Sequence, residues 1–267
     1  MKKDHLELLK KGAAVAGSAA GAAAGTFLAP GPGTAGGAAV GAAIGAGAGT
    51  AIGEVARLVL EDVANRFLST REEVRIGGTA ALAVSQIAEK LLWKPARDDD
   101  FFEVQSGLPS PAEEVFEGVL LAAKQEHEQL KLQYLANFYA NLVFDPSVKG
   151  PEANYLLTLA ESLTYRQLCL LSLVDQMVRY TVRSQRWPES GQIASESLDV
   201  AQQSLYLYQR QLLLSFSKEY GRAGFVMDVT LVIPSEAILS GTGKRLVSLM
   251  GLRQIQKTDL AEIAKIW

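Results

Sequence analysis

Apolar side chains recur every three to four residues along most of the chain after residue 54, which is the spacing of one face of an α-helix. The helices predicted in this way cover residues 71–93, 111–144, 198–219 and two stretches inside 151–183. Ser110 and Thr164 stand where such helices would begin, and Gln167 completes a capping box with Thr164. The pattern therefore predicts a mainly helical protein.

The pattern changes towards the end of the sequence. Short runs typical of β-strands cover residues 225–227, 229–233 and 237–239. Helices are expected to follow from Thr242 and from Asp259. Two helices, short strands and a further helix resemble a winged-helix module. The sequence thus predicts a small α+β unit over 151–267.

The charge of this unit argues against a role in reading DNA. Residues 151–267 hold 12 basic and 11 acidic side chains, and the helix at 198–219 has only Arg210 and Lys218 as cations. A recognition helix that enters a DNA groove is normally basic. We therefore expect a sensing or protein-contact unit, with DNA binding as the alternative.

A long uncharged segment lies between Lys11 and Glu54. Residues 12–53 contain 13 Gly and 17 Ala, although the whole chain has only 24 Gly. Many of the glycines are four positions apart, which places them along one side of a helix. The glycines of this stripe are Gly17, Gly21, Gly25, Gly37, Gly41, Gly45, Gly49 and Gly53. Small residues at this spacing let two helix backbones approach closely, as in membrane helix pairs.

The stripe is interrupted by Pro30-Gly31-Pro32-Gly33, through which a helix would not continue. The segment is therefore expected to form a helical hairpin with arms near residues 5–29 and 34–68. The alternatives are a flexible linker and a hairpin packed permanently inside a soluble protein. Five glycines in the second arm cost a helix roughly 2.5–5 kcal/mol relative to alanine, so close helix packing must offset them. A linker would not need such regular spacing.

The arms are long enough to cross a bilayer, which takes about 20 apolar residues. Their hydrophobicity is nevertheless poor, because the uncharged part of the first arm, from Gly12, offers only Val15, Phe27 and Leu28 as large apolar side chains. We therefore expect conditional insertion, in which a stored hairpin enters the membrane when copies assemble. Lysines before the segment and arginines after it would keep both ends in the cytoplasm.

The composition offers little for catalysis or metal binding. The chain has one Cys and two His, His5 and His127, and its formal charge is −3. We expect Cys169 to be buried and inert, and His127 to be a surface or helix-packing residue. Asp98, Asp99 and Asp100 are expected to form a solvated loop with the next aromatics packed into the body, although a carboxylate trio could hold Mg²⁺. We predict no enzyme activity, catalytic residue, cofactor or metal.

Two glycine-rich motifs match phosphate-binding patterns only in part. Residues 31–36 fit G-x-G-x-x-G, but a predicted helix precedes them where a dinucleotide fold needs a strand. Residues 240–245 are similar to a phosphate loop, but Ile238 and Arg245 replace a required glycine and a required hydroxyl. A nucleotide site is therefore not expected at either place.

The stretch from Leu156 to Val174 contains S-L-T-Y-R-Q-L-C-L-L, and S-G-T-G-K-R-L follows later at 240–246. With these residues, the order of features, from a small-residue N-terminal part through helices to a winged-helix-like end, resembles the bacterial abortive-infection alpha family. The resemblance covers roughly residues 75–250, and the glycine stripe lies outside its pattern. It implies a role in antiphage defence, with membrane damage or growth arrest as the result. It assigns no catalytic residue.

These observations predict three regions: a glycine-stripe hairpin at 1–70, a helical body at 71–150 and a winged-helix-like α+β unit at 151–267. The expected function is that of a defence effector whose hairpin permeabilises the inner membrane. Its expected partners are copies of itself, the lipid bilayer and a trigger protein, without nucleic acid. It would be cytoplasmic at rest and at the inner membrane when active. The alternative is a soluble oligomeric regulatory or protein-binding module.

Overall fold

The structure is a computed structural model that describes residues 48–66, 68–104, 106–186, 194–217 and 221–267. Most of the predicted hairpin lies outside the described residues, including the stripe glycines Gly17, Gly21, Gly25, Gly37, Gly41 and Gly45. The chain divides into two compact units between Ser162 and Leu163, called here the N-terminal and C-terminal units. The boundary predicted from the sequence lay at residue 150. The structure places it later, because the helix Gly150–Ser162 belongs to the N-terminal unit.

The N-terminal unit is built from helices. These are α1 (Ala48–Ala64), α2 (Thr70–Leu91), α3 (Pro111–Gln125), α4 (Leu132–Leu142) and α5 (Gly150–Ser162). A short 3-10 turn at Asp100–Phe102 lies between α2 and α3. Helix α2 packs against both α3 and α4, while α1 packs against α3 and the 3-10 turn.

Small residues set how closely these helices approach. The middle of α2 is Gly77-Gly78-Thr79-Ala80-Ala81, all buried, which lets α3 and α4 lie near its backbone. Between α3 and α5 the close contact is at Gly118, where an added Cβ would lie 2.8 Å from Cδ2 of Leu157. The core of this unit is therefore made where large side chains face small ones.

The C-terminal unit combines helices with a small sheet. Its helices are α6 (Tyr165–Asp175), α7 (Ser195–Gln209), α8 (Gly241–Leu249) and α9 (Lys257–Ile266). Its strands are β1 (Leu213–Ser217), β2 (Arg222–Gly224) and β3 (Ala237–Leu239). The strand order is β2-β1-β3, and both pairings are antiparallel.

One face of this sheet packs on helices. Helix α6 and helix α8 contact β3, and α7 contacts β1. Leu213, Ala237 and Leu239 are buried on that side. Since side chains alternate between the two faces of a strand, the residues between them point the other way.

The predicted mainly helical fold with a small C-terminal sheet is confirmed. The capping boxes at Ser110 and Thr164 are both present, with Glu113 and Gln167 as the reciprocal residues. Pro111 occupies the first turn of its helix. These starts could be predicted because capping depends on neighbours in sequence.

Two predicted helices were wrong in their extent, and two predicted strands were wrong in their type. The single helix over 111–144 is broken between Gln125 and Leu132, and Leu130, one of the apolar residues inside the predicted helix, is exposed. The helix at 198–219 starts at Ser195 and ends at Gln209, and part of its apolar face belongs to β1. The runs at 225–227 and 229–233 are not strands: residues 229–231 form a 3-10 turn, and the sheet uses 213–217 and 222–224 instead.

Candidate functional sites

The described end of the glycine stripe lies in α1. This helix buries Ile52, Val55, Ala56, Val59, Leu60 and Val63 along one side. Gly53 is half-buried at the edge of that side, and the next residues in its i+4 row are Arg57 and Glu61. Arg57 forms ion pairs with Glu54 and Glu61, at 2.5 and 2.7 Å. The uncharged row therefore changes into a charged one within this helix.

No helix within the described residues is both long enough and apolar enough for a membrane crossing. The stripe glycines from Gly17 to Gly45 lie outside the described residues. The hairpin accordingly remains a prediction.

A cleft of about 510 Å³ opens at one end of the N-terminal unit. We call it the proline cleft, because Pro109, Pro111 and Pro151 line it together with Phe101 and Leu108. Helices α3 and α5 run side by side in the same direction: Gly150 faces Pro111, and Gly118 faces Leu157. Both helices therefore begin at this cleft, which explains why prolines from distant positions meet there.

Charged side chains of both signs surround the proline cleft. Arg97 and Lys149 are the cations, and Asp100 and Glu114 are the anions. Both cations pair with Asp99, so neither is left free to bind an anionic occupant. The volume lies within the range of about 300–1,000 Å³ that is typical of ligand pockets.

Arg97 supports the wall of this cleft and is only 4% exposed. Its guanidinium bonds to both carboxylate oxygens of Asp99 at 2.6 Å and donates to the carbonyls of Leu142 and Val148. It also lies 4.2 Å from the ring centre of Phe101. Arg97 thus ties the loop before α3 to the end of α4.

The electrostatics of the Asp98–Asp100 loop follow from this arrangement. The Arg97 guanidinium lowers the pKa of the Asp99 carboxyl well below its usual range, and the Lys149 ammonium at 2.7 Å adds to the effect. Phe101 is buried, as the sequence predicted for the aromatics of this loop. In the described ranges no three His, Cys, Asp or Glu side chains are grouped as a metal site would require.

A second exposed feature lies on the C-terminal unit, on the side of the sheet turned away from the helices. This outer sheet face consists of Leu214, Phe216, Ala223 and Ile238. Leu214 pairs with Ile238, and Phe216 pairs with Ala223, so the four are neighbours across the strands. Phe216 is 39% exposed and Ile238 is 36% exposed, while Phe225, directly after β2, is 66% exposed. Clustered exposed apolar side chains of this kind mark interaction surfaces.

This face was not predicted from the sequence, because the helix predicted over 198–219 includes Leu213 and Phe216. A signal was present in Leu214-Ser215-Phe216-Ser217, which alternates apolar and polar residues as a strand does. The register that adds Ile238 comes from a pairing between distant segments, which alternation alone does not specify.

A smaller cleft of about 370 Å³ lies near the start of α6. Tyr165 donates a hydrogen bond of 2.7 Å from its hydroxyl to Asp259 at this cleft. Cys169, at its base, is buried as predicted. His127 is exposed in the break between α3 and α4. In the described part of the chain neither residue belongs to a group of His, Cys, Asp or Glu side chains that could hold a metal ion.

The phosphate-loop-like residues at 240–245 have a packing role. Ser240 accepts a 3.0 Å bond from the N–H of Gly243 and so begins α8. A Cβ at Gly243 would lie 2.3 Å from the carbonyl oxygen of Leu212, so this glycine allows α8 to approach β1. The other glycine motif, at 31–36, lies outside the described residues.

Comparison with known proteins gives no relative for this chain: no family model, curated protein or solved structure matches it. The resemblance to the abortive-infection alpha family remains a prediction from the sequence.

Proposed function

We propose that the protein is a membrane-active effector of bacterial defence, in which several copies of the Gly/Ala segment associate through the glycine stripe and permeabilise the inner membrane. The proposal is carried by one observation: 42 residues without charge, 12–53, hold glycines at a spacing of four on both sides of a proline break. This spacing serves helix association. A flexible linker would gain nothing from such regular spacing.

The contacts of α1 support this proposal. Helix α1 begins inside the segment and buries Ile52, Val59 and Leu60 in the N-terminal unit. The segment is thereby joined to a folded body through a helix. A change in that body could then act on the segment through α1.

For the C-terminal unit we propose a winged-helix-like module that senses a trigger protein. Helix α7 carries Glu196 and Asp199, and Asp199 pairs with Arg166 of α6, so its surface is not the basic one that DNA requires. The outer sheet face supports a role in protein contact. We propose that the protein is cytoplasmic at rest and reaches the inner membrane after activation.

The test is membrane depolarisation in cells that express the full chain. The decisive variant replaces Gly37, Gly41 and Gly45 with Leu, because these glycines belong to the stripe but precede α1. The matched control replaces Ala35, Ala39 and Ala43 with Leu, which adds bulk on the other side of the predicted helix. We expect the glycine variant to lose depolarisation and the alanine variant to keep it.

Equal depolarisation by the glycine variant and the unaltered chain would reject the role of the stripe. If the unaltered chain is silent, the measurement is repeated during phage infection, since the trigger would then be present. Silence under both conditions would reject the membrane-active function.

The outer sheet face favours a second candidate, a soluble oligomeric regulatory module that binds another protein. In that case Phe216→Ser with Ile238→Ser would abolish partner binding, while the glycine variant would bind normally. Val178→Ser is the control for losing an exposed apolar side chain, because Val178 lies in a 3-10 turn after α6 and outside the sheet. Salt-dependent DNA binding by the full chain would instead favour a DNA-binding role.

A further inference from the structure

We propose that, at rest, the proline cleft holds the Phe27–Leu28 part of the Gly/Ala segment of the same chain. The inference rests on the proposed function, since it identifies where the segment would be stored before release. It concerns a surface made of described residues, Phe101, Leu108, Pro109, Pro111 and Pro151.

Helix α1 connects the Gly/Ala segment with the N-terminal unit. Helix α1 starts at Ala48, and α1 contacts the 3-10 turn whose Asp100 and Phe101 line the proline cleft. The other end of α1 is held elsewhere, because Arg66 pairs with Glu117 in the middle of α3. Residues 1–47 therefore join the unit at a helix that contacts one wall of this cleft.

The chain between Leu28 and helix α1 is long enough to bring Phe27 and Leu28 to the cleft. Leu28 and Ala48 are separated by 20 positions. That stretch spans about 30 Å as a helix and at most about 70 Å when extended. Helix α1 itself, with 17 residues, is about 26 Å long. Phe27 and Leu28 can thus reach the cleft without unfolding α1.

The side chains that line the proline cleft suit an apolar occupant. The cleft offers a leucine and three prolines, while the ring of Phe101 in its wall is only 1% exposed. Its two cations, Arg97 and Lys149, already pair with Asp99. The cleft therefore suits an apolar occupant without charge. Phe27 and Leu28 are adjacent large apolar residues inside the uncharged segment 12–53, and Phe27 is its single aromatic residue. The leucines at 6, 8 and 9 fit less well, because Glu7 and Lys10 lie among them.

Burial of these two side chains would also keep the resting protein from associating through them. Transfer of a Phe or Leu side chain from water to an apolar site is favourable. Release from the cleft would expose them at the start of the proline break, where the predicted hairpin turns. The cleft would in this way couple the folded body to the availability of the segment.

The test is disulfide formation in the full chain carrying Ala29→Cys and Asn154→Cys. Asn154 lines the cleft and is exposed, and Ala29→Cys leaves Phe27 and Leu28 in place. A disulfide requires Cα atoms within about 7 Å of each other, so it reports proximity directly. Oxidised samples are digested and the linked peptides identified by mass spectrometry, which also separates this pair from any involving Cys169.

The matched control is Ala29→Cys with Leu130→Cys. Leu130 is 55% exposed and follows α3, whose 15 residues place about 22 Å between its two ends. The extended segment could reach either position, so a difference reports occupancy rather than reach. We expect the disulfide between positions 29 and 154 to form at least about tenfold faster than that between positions 29 and 130, because docking raises the effective concentration of the two thiols.

Equal rates at the two positions, or no disulfide at Asn154, would overturn the proposal. A disulfide at Asn154 that links two chains would also overturn it, because the occupant would then be the segment of a second copy. A second measurement covers misfolding of the cysteine variants: Leu108→Asp should speed cleavage of the Ala-rich segment by a protease that cuts after small residues. Leu130→Asp should leave that cleavage unchanged, and equal effects of the two variants would contradict the proposal.

This outcome is independent of the membrane test. A segment that docks in the cleft but never depolarises a membrane would reject the proposed function and leave the docking site. Depolarisation that depends on the stripe, without a disulfide at Asn154, would do the reverse.

Discussion

Gly243 permits a close contact that another residue would prevent. An added methyl group would meet the backbone oxygen of Leu212 at 2.3 Å, and backbone cannot yield as a side-chain end does. We expect Gly243→Ala to lower the free energy of unfolding by about 2 kcal/mol or more, as overpacking does. Gly241→Ala is the control, because nothing lies within 4 Å of its added Cβ. Urea denaturation compares the two, and a Gly243→Ala protein as stable as Gly241→Ala would refute the packing role.

Asp99 makes the stability of the N-terminal unit sensitive to acid. Because Arg97 lowers the pKa of Asp99 in the folded protein, folding favours the ionised carboxyl. The resulting stability is present above the unfolded pKa, about 3.9, and is lost as the pH falls towards the folded value. Asp99→Asn should therefore be less stable than the unaltered protein at pH 7 by about 2 kcal/mol.

That difference should shrink between pH 5 and pH 2, which urea denaturation at each pH would measure. Asp98→Asn is the neighbouring control, because the guanidinium of Arg97 bonds to Asp99 instead. A difference that stays constant with pH would contradict the role of the Arg97–Asp99 pair in acid sensitivity.

The break between α3 and α4 shows what apolar spacing leaves out. Spacing alone predicted one helix over 111–144, since neither Pro nor Gly occurs between 119 and 144. Helix α3 ends at Gln125 because the Glu126 carboxylate accepts hydrogen bonds from the backbone N–H groups of His127 and Glu128. Lys131 then donates to Glu126 and to the carbonyl of Glu161, a contact with α5. Such a partner is distant in sequence, so periodicity could not predict the break.

Lys131 should accordingly matter more than an ordinary surface lysine. Its side chain is only 3% exposed, and its ammonium lies 2.6 Å from Glu126. Lys131→Met keeps the apolar stem but leaves a largely buried carboxylate without its cation, which should cost about 3–5 kcal/mol. Lys124→Met removes the more open 3.7 Å pair with Glu72 and should change stability much less, because water screens an exposed ion pair. Similar losses for both, measured by urea denaturation, would contradict this explanation of the break.

The strands of the small sheet likewise depend on contacts between residues that are distant in sequence. After the end of α7, Gln211 has a φ of 56°, a backbone conformation that glycine usually adopts. Because the residue here is a glutamine, the sequence contains no glycine that would indicate the end of this helix. The outer sheet face then depends on the pairing of Leu214 with Ile238, 24 positions apart. Helix starts with local caps could be predicted from the sequence, whereas the proline cleft and the outer sheet face needed contacts between distant segments.

Each of the two units has its own core, and this can be tested in the full chain. Leu120 lies in the N-terminal unit and Leu171 in the C-terminal unit, and both are fully buried. Replacing either with Ala should remove about 2–5 kcal/mol of stability from the unit that contains it. Hydrogen exchange resolved by peptide would then show where protection is lost, because local unfolding follows cooperative units. Leu120→Ala should raise exchange in described residues before 162, and Leu171→Ala in those after 163. Equal loss of protection across both units after either substitution would mean that the chain unfolds as one cooperative body, and a trigger sensed by one unit would then act on both at once.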